Sequence, residues 1–226
     1  DSNPRLRDPL DDAESPARLS VDDLERCRRE DAVVLDGRPP ETFASGHLEG
    51  SINVGLDGRF AEYAGDVVRP GQPVVVVTDE GREAEAKVRL ARIGFDRVRG
   101  AVVDVERILA ERPDLAARST RLAARDLASW RDDEPGLQIV DVRNPAEQEA
   151  GIVPGAVAIP LARLLDKPHE LDATAPTVVY CAGGYRSSIA ASLLRSVGFT
   201  QVADLQGGYD AWAAAGLPTV RPETLA

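Results

Sequence analysis

What this chain lacks narrows its chemistry first. Only two cysteines, Cys27 and Cys181, and two histidines, His47 and His169, occur in its 226 residues. The cysteines lie far apart with no C-x-x-C spacing, which suggests neither a disulfide framework nor a zinc site and fits reduced thiols in a cytoplasmic compartment. No ligand cluster surrounds either histidine, so no metal and no cofactor are expected. No stretch approaches the roughly 20 apolar residues of a membrane span, and the start lacks the basic-then-apolar pattern of a signal peptide. Cations are in deficit: 27 Lys+Arg against 38 Asp+Glu leave a net charge of -11, which repels phosphate backbones and anionic headgroups and argues against nucleic acid or a membrane surface as partner. Methionine is absent, and the opening D-S-N-P-R-L-R-D-P-L-D-D is polar and contains proline. Residues 1–17 therefore read as a linker, and the chain as a fragment of something longer.

What is present is one pattern written twice, at a shift of about 105 residues. The segment Val33 to Gly50 pairs with Gln138 to Gly155, placing Asp36, Arg38, Gly46 and Gly50 opposite Asp141, Arg143, Gly151 and Gly155. Further on, R-L-A-R-I-G-F (Arg89 to Phe95) pairs with S-L-L-R-S-V-G-F (Ser192 to Phe199). Short apolar runs at Val33 to Leu35, Val74 to Val77, Ile139 to Val140 and Thr177 to Tyr180 suit buried parallel strands. Helices are expected at Val21 to Glu30 and Arg82 to Ile93. A third follows Cys181, with Ile189, Ala190, Leu193, Leu194 and Val197 on one face and Gly198 at its end. The expected architecture is α/β in two tandem domains, 18–114 and 118–226, each a mainly parallel sheet flanked by helices on both faces. Pro113 closes the first unit, and Ser119 or Thr120 precedes the second.

The copies diverge at the turn after the second apolar strand. The second reads V-V-Y-C-A-G-G-Y-R-S-S (Val178 to Ser188); the first reads V-V-V-T-D-E-G-R-E-A (Val75 to Ala84), without a cysteine and one residue shorter. A strand ending at Tyr180, a glycine turn and a helix starting near Ser187 would aim several backbone N–H groups at the Cys181 sulfur. Gly183 and Gly184 permit backbone angles and close approaches that a Cβ would obstruct. The helix dipole, the N–H groups and the Arg186 cation together favour thiolate over thiol.

Cys181 to Ser187, with D-V-R (Asp141 to Arg143) and G-I-V-P-G-A (Gly151 to Ala156) before it and G-G-Y-D-A-W (Gly207 to Trp212) after it, resemble the rhodanese family. The resemblance covers nearly the whole chain and is stronger in the second copy, so the first looks like the inactive unit of a tandem rhodanese. It implies a sulfurtransferase in which Cys181 takes sulfur from thiosulfate or a small persulfide and passes it to a thiol or cyanide. Backbone groups of Ala182, Gly183, Gly184, Tyr185 and Ser187 would hold the bound sulfur, and Arg186 would orient the anionic donor. The partners so implied are small anionic sulfur donors and thiol acceptors. The family often has histidine where Ile152 stands, which removes a histidine base there. The opening linker and the inactive-then-active order also resemble the C-terminal part of metallo-β-lactamase/rhodanese fusions, which implies an upstream metallo-β-lactamase-like domain in a longer chain.

Other residues read more plainly. Asp141 and Arg143 suit a supporting ion pair at a strand end, while the spacing of Arg143 and Glu147 allows a pair on one helical turn. Trp212 and Tyr209 are expected beneath the loop, and Tyr185 at the pocket mouth. Cys27 reads as inert, and His47 as structural. Thr78 and Asp79, near the vacated cysteine position, do not replace its chemistry. Two other functions compete. A cysteine phosphatase or arsenate reductase also cradles an oxyanion, but its loop has five residues between Cys and Arg where this chain has four. A non-catalytic binding module would not need Cys181, Gly183, Gly184 and Arg186 together.

Overall fold

The computed structural model describes residues 14–221; the opening segment through residue 13 lies outside them. The first domain runs α1 (Val21–Arg29), β1 (Val33–Asp36), α2 (Pro40–Ser45), β2 (His47–Leu48), β3 (Ile52–Asn53), α3 (Phe60–Val67), β4 (Val74–Val77), α4 (Glu83–Ala91), β5 (Val98–Val102) and α5 (Val105–Glu111). After β6 (Ala116–Ala117), the second domain runs β7 (Thr120–Leu122), α6 (Ala124–Asp133), β8 (Gln138–Asp141), α7 (Pro145–Gln148), β9 (Val157–Ala158) and α8 (Leu161–Leu164). It ends with β10 (Thr177–Tyr180), α9 (Tyr185–Ser196), β11 (Val202–Leu205) and α10 (Gly208–Ala214).

Both main sheets are parallel, in the orders β3-β1-β4-β5 and β7-β11-β10-β8-β9. The internal repeat survives in register: Asp36 lies across from Val77 as Asp141 lies across from Tyr180. Where β7 edges the second sheet, the first has a single parallel bridge from Arg18 to Ala101. Strand β6 turns back to pair antiparallel with β2, His47 facing Ala117. Nothing along the chain signals this pairing, because two alanines carry no alternation to read.

Helices cover both faces of each sheet because every central strand is buried on both sides. On the outer faces, Leu24 and Cys27 of α1 and Val105 and Ile108 of α5 pack on Val34, Val75 and Val77. Leu127 of α6 and Trp212 of α10 pack on Ile139, Val178 and Tyr180 in the same way. The inner faces share one core, in which Leu35, Val76 and Leu90 join Val140, Val179, Leu193 and Leu194. Helix α9 lies in that shared core, and Ser187 through Leu194 are buried on every side.

This burial corrects the amphipathic reading of α9. Ser188 and Ser192 face Asn53 of the first domain instead of solvent, and Val197, expected on the apolar face, is 45% exposed past the helix end. Gly198, at φ 104, follows as expected for a terminating glycine. No helix among the described residues is long and apolar enough to cross a membrane.

Candidate active site

Cys181 follows the last residue of β10 and is 1% exposed. Its Sγ accepts the Gly184 N–H at 3.1 Å, and Ser187 Oγ lies 3.8 Å away, itself donating to the Gly184 carbonyl at 3.1 Å. Gly184 is the N-cap of α9 at φ 96, a left-handed conformation that suits glycine. The sulfur therefore sits at the N-terminus of a twelve-residue helix, where aligned peptide dipoles and free N–H groups favour negative charge. The helix begins at Tyr185, two residues earlier than expected, because glycine supplies the turn that a side-chain cap would otherwise make.

The loop is held from behind by α10. The Tyr209 N–H donates to the Cys181 carbonyl at 2.7 Å and the Asp210 N–H to the Ala182 carbonyl at 3.1 Å. That approach requires glycine at 208: a Cβ there would lie 2.3 Å from both the Cys181 and Ala182 carbonyl oxygens, at φ +56. Gly208→Ala is therefore expected to push the loop out of place and to lose roughly 1–3 kcal/mol of stability. A urea titration, with the Cys181 alkylation rate measured alongside, checks both effects. Trp212 and Tyr209 do pack here. Trp212 is fully buried, with its Nε1–H on the Pro218 carbonyl, and Tyr209 stacks toward Tyr180.

Asp141 and Arg143 form a fully buried pair at the end of β8, with Nε to Oδ1 at 3.0 Å and Nη2 to Oδ2 at 2.6 Å. Arg143 also donates to the Gly151 carbonyl, and its guanidinium lies 4.1 Å from the Tyr209 ring centre. Asp141 accepts the Tyr180 hydroxyl at 2.7 Å, and that oxygen accepts the Val153 N–H. The pair thus fastens the residue before Cys181 to the 147–153 segment. Asp36 and Arg38 repeat it, with Nη2 to Oδ2 at 2.6 Å and a second bond to the Gly46 carbonyl. Since the first copy has Thr78 where the second has Cys181, the shared geometry marks the pair as part of the fold.

Arg143 does not pair with the Glu147 carboxylate. It takes the Glu147 backbone carbonyl, and the carboxylate grips Arg186 through two bonds, at 2.7 and 2.6 Å. Glu147 also closes the N-terminus of α7 by accepting the Asn144 N–H, which fixes its direction. Hydrogen bonds from Arg186 hold the Glu147 carboxyl down to about 2, and the carboxylate in turn holds the Arg186 guanidinium above its ordinary range. Within the loop Ala182 is half-buried, Gly183 exposed, and Ser187 fully buried.

Tyr185 points across to the first domain, where its hydroxyl donates to the Gly55 carbonyl at 2.5 Å. A cavity of about 310 Å³ lies beside the loop, lined by Gly183, Gly184, Tyr185, Arg121, Glu41 and Gln206 among others. Arg121 pairs there with the buried Asp204 and with Glu41 of the first domain. Arg121 on the edge strand β7, Asp204 on β11 and Glu41 on α2 were not legible in the sequence, since single charges on three separate elements share no pattern until the strand order is known.

In the first copy, Thr78 occupies the place of Cys181. It follows β4 directly, and Gly81, at φ 88, comes three residues later as Gly184 does after Cys181. The turn is thus not shortened there, and the missing residue falls further on, within α4. The Thr78 hydroxyl is buried without a hydrogen-bond partner, and Glu83 in the first turn of α4 is paired to Arg18. Cys27 lies in the outer core, 5% exposed.

His47 is buried, stacks on Phe43 at 3.8 Å and donates from Nδ1 to the Phe43 carbonyl at 2.8 Å. Burial pushes it down from 6.5 to about 4. A base depressed in the folded state stabilises the fold above the unfolded pKa, and that stability is lost as pH falls from about 6.5 towards 4. About 3 kcal/mol should disappear across that window, and a His47→Gln chain should show a flatter pH–stability curve in denaturant titrations.

Residues 20–100 and 123–215 match the rhodanese-like domain family. Part of the chain is 37% identical over 91 residues to a protein named sulfurtransferase from Allochromatium vinosum, covering 40% of this chain and 85% of that one. It is 35% identical over 83 residues to the thiosulfate sulfurtransferase GlpE of Pseudoalteromonas translucida, covering 37% and 79%. A crystal structure of a thiosulfate sulfurtransferase from Pseudomonas aeruginosa aligns with 95% of this chain and 42% of its own, at 28% identity and a TM-score of 0.43. The chain spans only 60% of YqhL from Bacillus subtilis and 30% of the probable adenylyltransferase/sulfurtransferase MoeZ from Mycobacterium tuberculosis. With both of its halves matched, the chain belongs to the rhodanese-like domain family, carries two such domains, and has sulfurtransferases among its relatives.

Proposed function

We propose that the second domain is a sulfurtransferase that carries sulfane sulfur as a Cys181 persulfide. The observation that supports this reading most is the placement of Cys181 Sγ 3.1 Å from the Gly184 N–H, at the N-terminus of α9. In the first step the Cys181 thiolate attacks the outer sulfur of thiosulfate or of a low-molecular-weight persulfide. A new S–S bond forms, the donor's own sulfur–sulfur bond breaks, and its electron pair leaves on sulfite or on the donor thiolate. In the second step a thiolate or cyanide attacks the outer sulfur of the Cys181 persulfide, and the electron pair returns to Sγ. The Gly184 N–H and the α9 dipole stabilise the sulfur anion at both stages. Arg186, charged at any working pH, orients the anionic donor at the loop's edge.

Free Cys27 and Cys181 support a reducing, cytoplasmic setting. Relatives such as MoeZ, whose name joins a second activity, support a place for the chain in a longer fusion. Intact-mass analysis after treatment with thiosulfate or glutathione persulfide tests the function. The expected result is a gain of one sulfur, mapped to the Cys181 peptide and discharged by cyanide as thiocyanate. No gain with either donor would leave a binding module with a rhodanese fold.

A further inference from the structure

Three residues of α9, Tyr185, Ser188 and Ser192, stand at i, i+3 and i+7 and so share one helical face. That face meets the first domain. The Ser188 hydroxyl donates to Asn53 Oδ1 at 2.7 Å, and the Asn53 N–H donates to Ser192 Oγ at 2.9 Å. Asn53 Nδ2 continues to the Asp36 and Arg38 carbonyls at 3.0 and 2.8 Å. The catalytic helix is thereby bonded, through fully buried groups, to the Asp-Arg turn of the copy that has no cysteine.

Tyr185 makes the other contact, at the first residue of the helix and inside the catalytic loop. Its ring rests on two first-domain glycines, and a Cβ at Gly58 would fall 2.5 to 2.7 Å from its Cζ, Cε2 and hydroxyl oxygen. The floor beneath the ring is fixed: Arg89 donates to the Leu56 and Gly58 carbonyls, and the Leu56 N–H donates to the Gly37 carbonyl. The Tyr63 ring closes the side at 5.6 Å. Tyr185 lies next to Gly184, whose N–H binds Sγ, so displacing the ring tilts the donor on which the sulfur depends.

We propose that the first domain is a positioning part of the active site, setting the catalytic loop through the Tyr185 ring seated on Gly55 and Gly58 and through Asn53 on Ser188 and Ser192. This rests on Cys181 being the nucleophile. The first copy could then lose its own cysteine without becoming dispensable, because its role is exerted through the contact face and not through chemistry of its own.

Gly58→Ala tests the proposal from the other domain, touching no residue of the loop except Tyr185. It should lower kcat for sulfur transfer roughly ten- to a hundredfold, with a much smaller change in KM, and shift the pH profile of Cys181 alkylation by iodoacetamide. In a Tyr185→Ala chain, where no ring remains to be pushed, Gly58→Ala should add nothing. Equal effects in the two backgrounds, or none in either, would overturn the proposal. Tyr185→Phe keeps the ring and loses only the bond to Gly55. Its alkylation profile should stay close to that of the parent chain, and a shift in Tyr185→Phe as large as in Tyr185→Ala would count against seating of the ring. Alkylation needs no sulfur donor, so these readouts separate failure of the positioning role from failure of the sulfurtransferase reading.

Discussion

A Cys181→Ser chain is expected to fold normally and to lose sulfur transfer, with kcat/KM falling roughly 10³-fold or more. Serine is close to cysteine in size, and the Gly184 N–H that now serves the sulfur can serve a hydroxyl, so stability should change by less than about 1 kcal/mol. Chemistry, not packing, is lost. A hydroxyl beside an N–H donor and a helix N-terminus stays protonated at neutral pH, attacks sulfane sulfur poorly, and cannot hold the transferred atom as a stable persulfide. Thiocyanate formation from thiosulfate and cyanide measures the loss. The control is Cys27→Ser: Cys27 sits in the outer core of the first domain, and its replacement should leave turnover intact. Equal turnover in Cys181→Ser and the parent chain would remove the proposed mechanism.

Arg143→Ala should be the most damaging change to stability, costing about 3–5 kcal/mol and lowering Tm by about 10 °C. The side chain is 3% exposed, and its loss leaves Asp141, at 0%, without its cation in the interior. The Gly151 and Glu147 carbonyls lose a donor, and the Tyr209 ring loses the guanidinium packed on it. Arg38→Ala should cost a similar amount, since Arg38 is 2% exposed beside Asp36 at 0% and also carries Glu106. The two variants should separate in function. At 143 the pair reaches Tyr180, the residue before Cys181, so any folded fraction should transfer sulfur slowly; at 38 the effect reaches the loop only indirectly, through Asn53 and the Gly37–Leu56 bond. Differential scanning calorimetry with activity measured per folded molecule distinguishes them.

Several features are legible in the amino-acid sequence alone. The Asp-Arg repeat, the apolar strand runs and the glycine turn after Tyr180 are local patterns, because strand burial, ion pairs two residues apart and positive φ are all set within a few residues. Cys181, Gly184 and the buried Asp141–Arg143 pair accordingly lie where the pattern places them. Glu147 is different, since its spacing points to the wrong arginine. Along α7 the neighbour on offer is Arg143, but Arg143 is already held by Asp141, and α9 brings Arg186 to the free carboxylate. Ser188 and Ser192 escape a local reading for a related reason: on an isolated helix two serines mark the solvent side.

By itself, then, the amino-acid sequence determined two α/β units, which of them carries a cysteine after its second apolar strand, and the glycine turn beside that sulfur. Only the tertiary structure decided how the first copy meets α9. Residues separated by more than 100 positions meet at Asn53–Ser188 and Gly58–Tyr185 because the two inner sheet faces bury their apolar surface in one shared core. That burial brings α9 against the first domain, and no local pattern along the chain encodes it.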